Sequence, residues 1–325
     1  MTRRCIQVGG VGVELTIGEA KSNYIWSEVD RVFDGFLAEG GNIDYRLVLH
    51  SFGDRGPGDP VRMPARREMM RMKKALERRF PFTGLPRWDT TARGKNRRAS
   101  VLRKGAFGRL SLRAIEDGRA SLVITPSFLL AVDHEERSAD ALLFDREGDG
   151  PYDAALAVQA LYGVVLPEYG GMILHAAAID AGDRGVLLVG GADVGKTTVS
   201  SRVPKDRLLA DDGAVCICRD GRVSLVPSPF TQTPVDNTRA RTVGLASLMF
   251  LIQDEADYAE THPPGEAMVS LLSNHIHFFR FMSPQNARLS FHIIERIINT
   301  ATIERLFFSL DFDPTLFFTE KEYVR

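Results

Sequence analysis

Apolar residues fall into short alternating or continuous runs along most of the chain. Residues 5–16 (CIQVGGVGVELT) and 44–52 (DYRLVLHSF) have the Val, Ile, Leu and Tyr content of strands. Between them, SEVDRVFDGFLA (27–38) places Val29, Val32, Phe33 and Phe36 on one helical face. GDRGPGDP (53–60) reads as a loop, and PARREMMRMKKALERRF (64–80) as a helix opened by Pro64. RLSLRAI (109–115) and SLVITPSFLLAV (121–132) read as further strands, and FDREGDGPYD (144–153) has the composition of a boundary. The pattern predicts an α+β N-terminal domain over 1–150 and a second domain over 151–325.

In the second half, AALAVQALYGVVL (154–166) predicts an apolar helix. EYGGMILHAAAID, VLLVG (186–190), RLLADD (207–212), VCICR and RVSLV follow as short strands, and PSPFTQTP as a proline-rich loop. LASLMFLIQ (245–253) is uninterrupted, as a strand covered on both faces would be. PPGEAMVSLLSNH (263–275) and SPQNARLSFHIIERIINTA (283–301) predict helices with Pro near their starts, and IERLFFSLD (303–311) a last strand. The fold class is α/β (α+β mixed).

Composition narrows this to a globular chain. It has 325 residues, 44% hydrophobic and 26% charged, with no stretch of 18 uncharged apolar residues. The N-terminus lacks the apolar core of a signal peptide, and three cysteines cannot all pair, so the expectation is a cytoplasmic protein without a membrane span. Cys216 and Cys218 alternate in one strand and read as buried thiols. The net charge of −1 conceals a basic segment, 62–113, with 17 Lys/Arg against 3 acidic residues. That segment suits a solvated surface or the docking of an acidic peptide; it carries no nucleic-acid-binding motif. His275-Ile-His277 has strand-like metal spacing, but two ligands without a third read as structural.

GGADVGKTT, residues 190–198, matches G-x-x-x-x-G-K-[ST]. A strand runs into Gly190 and a short helix leaves Lys196, so backbone N–H groups of Gly190, Gly191, Ala192, Asp193, Val194, Gly195 and Thr198 can cradle an anion. In such a loop Lys196 reaches terminal phosphates and the Thr197 hydroxyl ligates Mg²⁺. Asp211 and Asp212 follow at a strand end, where one carboxylate could hold the metal and the other take a proton from a hydroxyl; Asp-Asp-Gly is also good turn chemistry. D-V-G-K-T occurs in GTPase loops too, but the chain has neither N-K-x-D nor D-x-x-G after the loop.

LHAAAID, VLLVGGADVGKTT and RLLADD, in that order, resemble the catalytic domain of HPr kinase/phosphorylase and its divergent relatives, including peptide-cluster kinases. The resemblance covers about 165–325. It implies a C-terminal P-loop kinase domain of the type shared with phosphoenolpyruvate carboxykinase, with ATP and Mg²⁺ as cofactors. It implies that His175 lies near the phosphates, that Lys196 and Thr197 hold nucleotide and metal, and that Asp211 and Asp212 divide metal binding and base. The implied activity is phosphorylation of a serine or similar hydroxyl on a peptide or small protein, in a family whose members often form homo-oligomers. Departures are Ala176 where the family has Gly, Ala192-Asp193 in place of Ser-Gly, and the lack of a Glu-Arg-Gly loop after the aspartates. A nucleotide sensor that transfers no phosphate and a small-molecule kinase remain open alternatives.

Overall fold

In the computed structural model, the residues described are 3–17, 22–51, 105–125, 127–143, 152–182, 184–191, 193–231 and 241–320. The helix expected over 64–80 and most of the basic segment 62–113 lie outside them. So does Ala192. The protein is a mixed α/β molecule with two sheets, of seven and eight strands, and several helices. Its contacts divide it into two compact units. The first comprises 1–6, 12–165 and 278–286; the second comprises 7–11, 166–277 and 287–325. The helix over 152–165 therefore groups with the first unit.

The seven-stranded sheet uses β1 (Arg3–Val8), β2 (Val11–Ile17), β3 (Leu37–Ala38), β4 (Tyr45–Ser51), β5 (Ala120–Ile124), β6 (Phe128–Asp133) and β7 (Ser138–Leu143), in the order β3-β1-β2-β4-β7-β6-β5. The expected single strand over 5–16 is a hairpin, because Gly9 and Gly10 both adopt positive φ and reverse the chain. The first helix, α1 (Ser22–Val32), begins earlier than its apolar spacing indicated and stops before Phe33. The strand expected at 109–115 is instead a pair of short helices, α2 (Gly105–Arg109) and α3 (Leu112–Glu116). Ser111 caps α3 by accepting the Ala114 N–H at 3.0 Å, and Phe107, Leu110, Ala114 and Ile115 enter the core at helical spacing. The run 121–132 breaks into β5 and β6 around Thr125, whose hydroxyl accepts the Phe128 N–H at 2.9 Å. Helix α4 (Tyr152–Val165) closes the unit; Glu28 accepts the Ala155 N–H, and the buried Tyr162 hydroxyl donates to the Ile6 carbonyl at 2.7 Å.

The second unit contains β8 (Gly171–Asp180), β9 (Gly185–Val189), α5 (Lys196–Ser200), β10 (Leu208–Ala210), β11 (Gly213–Arg219), β12 (Arg222–Val226), β13 (Val243–Gln253) and β14 (Tyr258–Thr261). It continues through α6 (Pro264–Ser270), a π-helical turn at Leu271–His275, α7 (Pro284–Thr300, shared with the first unit), β15 (Thr302–Phe308) and α8 (Pro314–Glu320). β9 and β15 flank β13 in parallel, while β8 runs antiparallel to β9. The pairings β8–β11–β12–β13–β9–β8 form a closed circuit.

Apolar residues on both faces bury the central strands. Leu174, Ala176, Ala178, Leu187, Val189 and Leu248 pack with Ile293, Ile294 and Ile297 of α7. The alternate residues Ala177, Ile179, Val186, Leu188, Met249 and Leu251 pack with Val199 of α5 and Phe318 of α8. Two-sided burial explains why these strands read as continuous apolar runs rather than alternations. Cys216 and Cys218 lie on β11, the first buried and the second half-buried, and burial raises both thiol pKa values. Among the described residues no helix is long and apolar enough to cross a membrane.

Candidate functional site

The loop after β9 is shaped by backbone conformations that few residues accept. Gly195 has φ +109°, and a Cβ there would meet the Phe308 ring at 2.8 Å. Glycine is thus required both by conformation and by the aromatic floor from β15. Asp193 also has positive φ, +64°, and its side chain is exposed. Asp and Asn enter this left-handed region more readily than other side chains, so an aspartate can hold this conformation. Gln253, at the end of β13, donates through its amide to the carbonyls of Asp193 (3.3 Å) and Val194 (3.2 Å). Nothing in the local sequence marks Gln253, because it reaches the loop across β13 rather than along the chain.

Lys196 is 7% exposed, and its ammonium donates to the carbonyls of Gly190 (2.7 Å) and Gly191 (3.0 Å). An ammonium has three donors, so a third remains for an anion. Burial lowers the Lys196 pKa, against the opposing attraction of Asp212 and Asp193. Thr197 and Thr198 are exposed on the first turn of α5, and their side chains make none of these contacts.

Asp211 and Asp212 interrupt what would otherwise be one strand. β10 and β11 pair successively with β8, and the register slips where Gly213 faces both His175 and Ala176. The bulge is fastened from two sides. The Ala176 N–H donates to the Asp212 carbonyl at 2.9 Å, and the buried Ser228 donates through its hydroxyl to the Gly213 carbonyl at 2.6 Å. The Gly213 N–H donates to the Phe230 carbonyl. Bulges redirect side chains, and here the two carboxylates are separated by environment. Asp211 is 2% exposed, whereas the Asp212 side chain is 32% exposed with Oδ1 3.3 Å from Nε2 of His175. Burial lowers the His175 pKa, opposed by Asp212 and reinforced by Lys196.

Two histidines that the sequence reading set aside as structural join this group. The His277 ring stacks on His175 with centroids 5.5 Å apart and planes 7° from parallel; His275 meets His175 edge-on at 6.3 Å. Burial lowers the pKa of both, that of His275 to about 4. Their signal in the sequence was the i, i+2 spacing, but nothing local connects it to a residue 100 positions earlier. The structure thus gathers His175, Asp212 and Lys196 of the expected site, adds His275 and His277, and places Asp211 beneath the surface.

The residues fit a phosphate-bearing ligand and a hard divalent cation. Lys196 has a donor to spare beside a glycine-lined loop, and the Thr197 hydroxyl and Asp212 carboxylate are accessible oxygen ligands of the kind Mg²⁺ prefers. Among the described residues no group of three His, Cys, Asp or Glu side chains is placed to hold a metal.

No protein-family model matches the chain, and no curated protein does. Among solved structures it is similar to one described as the HPr(Ser) kinase/phosphatase from Coxiella burnetii, with 12% identity, covering 45% of this chain and 91% of that one. The TM-score is 0.24, too low for the likeness to carry an argument about function.

Proposed function

We propose that the second unit is an ATP- and Mg²⁺-dependent kinase that transfers a phosphoryl group to a serine or similar hydroxyl of a peptide or small protein. The observation that carries this reading is the grouping of Lys196, on a G-x-x-x-x-G-K-T loop, with the partly exposed Asp212 and its neighbour His175. Bound ATP would supply the transferable phosphoryl group, and Mg²⁺ would offset the charge on its oxygens. Loop N–H groups and the Lys196 ammonium would hold the phosphates. Thr197 and an aspartate would hold the metal. Asp212 is the carboxylate with access to an incoming hydroxyl and would accept its proton, while His175 orients that carboxylate through Nε2. The buried Asp211 would shape the bulge.

The basic segment 62–113 gives the reading a substrate preference, since a surplus of Lys and Arg favours an acidic acceptor. The test is transfer of labelled phosphate from ATP to candidate acidic peptides, small proteins and lysate. Expected is labelling of a hydroxyl, stable to acid, that falls at least 100-fold in Lys196→Ala and in Asp212→Asn. Tight ATP binding without transfer to any acceptor would favour a nucleotide sensor, and label confined to low-mass products a small-molecule kinase. Labelling that persists in both variants would overturn the assignment of these residues.

A further inference from the structure

The segment His275–His277 has no part in the phosphoryl transfer proposed above, yet it is built into the same corner of the second unit. Ile276 forms an antiparallel bridge with Leu174, and the His277 backbone N–H donates to the Ile173 carbonyl at 3.0 Å. These contacts occupy the first half of β8 along the edge that β9, paired with 176–180, does not cover. Ile276 has extended backbone at the bridge, and the rings of His275, which ends the π-helical turn, and of His277 both meet His175. The His277 ring then lies nearly parallel to His175. His275 abuts the same ring edge-on.

A histidine on a strand turns about two side-chain bonds, and only some of its orientations bring Nε2 to a neighbouring carboxylate. Which nitrogen carries the proton is set by the partner that the ring faces. A flat aromatic neighbour removes most rotations, since an offset stack contributes about 0.5–1.5 kcal/mol and is lost when the ring swings. His277 is fastened through its backbone to Ile173, on the strand that carries His175. Its stack therefore limits the rotations open to the His175 ring.

We propose that His277 is a positioning residue for phosphoryl transfer, which by stacking on His175 while its own backbone is bonded to β8 holds the His175 imidazole against the Asp212 carboxylate. Its catalytic consequence rests on the kinase reading; the orientation of His175 rests on the contacts alone. The stack is made with His175, so its loss should act on turnover more than on nucleotide binding. Misplacing a reacting or orienting group by about 1 Å can cost on the order of 100-fold.

The experiment uses the full chain with ¹⁵N-labelled histidine and the variants His277→Ala, His277→Gln and His277→Phe. Expected in the Ala and Gln variants is that the His175 ring nitrogens lose the pattern of one tautomer and move toward averaged shifts. With them kcat should fall at least 10-fold while KM for ATP stays within 2-fold. His277→Phe restores a ring to the stack and should recover both the His175 pattern and most of kcat. A role in folding alone would lower the unfolding midpoint without moving the His175 signals or being rescued by Phe. If the Ala variant does not fold, the Gln and Phe pair decides. Wild-type His175 signals and wild-type kcat in His277→Gln overturn the proposal. A changed His175 pattern in a protein that transfers no phosphate to any acceptor overturns the kinase reading and the catalytic role together, with the stack still in place.

Discussion

In the first unit His50 Nε2 lies 2.8 Å from Asp140 Oδ1, and in the second His175 Nε2 lies 3.3 Å from Asp212 Oδ1. The two pairs look alike in a list of distances and differ in what surrounds them. Asp140 is 5% exposed, and its other oxygen accepts the Ala106 N–H at 2.6 Å, fixing the start of α2 to β7. Gly105 approaches so closely that a Cβ there would sit 2.2 Å from that oxygen. Both Asp140 oxygens therefore serve the scaffold. Asp212 is anchored through its backbone carbonyl instead, which leaves the carboxylate partly exposed and within electrostatic reach of Lys196. A histidine–aspartate contact becomes a candidate site when the backbone does the anchoring and a cation that can hold an anion stands beside it.

The largest effect that tests this contrast is on stability. Asp140→Ala strands the buried Ala106 N–H and removes the partner of His50, and should destabilise the protein by about 3 kcal/mol. Its phosphoryl transfer, measured per folded molecule, should be unchanged. Asp212→Asn should do the reverse, abolishing transfer at a stability cost of about 1 kcal/mol or less, because the peptide contacts of the bulge remain. Urea unfolding and labelled-ATP transfer on the same preparations check both. An Asp140 variant that keeps its stability and loses transfer would break the comparison.

A smaller effect sharpens it from the side of pH. Burial holds the His275 pKa at about 4 in the folded protein, while an unfolded histidine titrates near 6.5. Between these values the unfolded chain binds more protons, so this contribution to stability is fully present above about pH 6.5 and is lost as the pH falls toward 4. His277 and His175 are shifted in the same direction by burial and act with the same sign. Stability should drop by about 2 kcal/mol between pH 7 and pH 5, and by less in His275→Phe. Denaturant midpoints at the two pH values measure this. Equal midpoints in the wild-type protein would remove burial of His275 as a cost carried by the site.

What could be read in advance follows the range of the interactions involved. The turn between β9 and α5 was legible because Gly195 and Lys196 shape it within a few residues, one through its positive φ and the other through the Gly190 and Gly191 carbonyls. Helix α4 and strands β8 to β13 were legible from continuous apolar runs, which two-sided burial imposes. Residues 109–115 were misread because Leu110, Leu112 and Ala114 alternate as in a strand, while the deciding feature was the cap supplied by Ser111. Strand β7 and helix α8 were not anticipated; β7 pairs with β4, far earlier in the chain, as well as with the adjacent β6, and α8 packs on residues of β8 and β9. The same limit applies at the site. Asp211 and Asp212 are equivalent as letters, and the bulge against Ala176 makes one buried and the other accessible. Gln253 and His277 could not be assigned because each acts across a strand, on a loop or a ring far from it in the chain.

The smallest expected effect concerns Asp193, the negative charge in the loop proposed to bind phosphate. Its left-handed backbone explains why aspartate is tolerated there but not why a charge is useful, and the two questions can be separated by substitution. Asp193→Gly suits the conformation better and makes the unfolded chain more flexible, opposing terms that should leave stability within about 1 kcal/mol. Asp193→Val places a β-branched side chain at positive φ and should cost about 1–3 kcal/mol. For nucleotide binding the carboxylate acts through charge, since it attracts the Lys196 ammonium that the phosphates would use. Removing it should leave ATP affinity unchanged or raise it by about 2- to 5-fold, more at low salt than at high because the side chain is exposed. Calorimetric titration of ATP into the wild-type protein and Asp193→Gly at two salt concentrations measures both. A tenfold loss of affinity in the glycine variant would mean that Asp193 takes part in holding the ligand. In that case the contrast between backbone-anchored and side-chain-anchored carboxylates would need a third kind, one that works on the nucleotide itself.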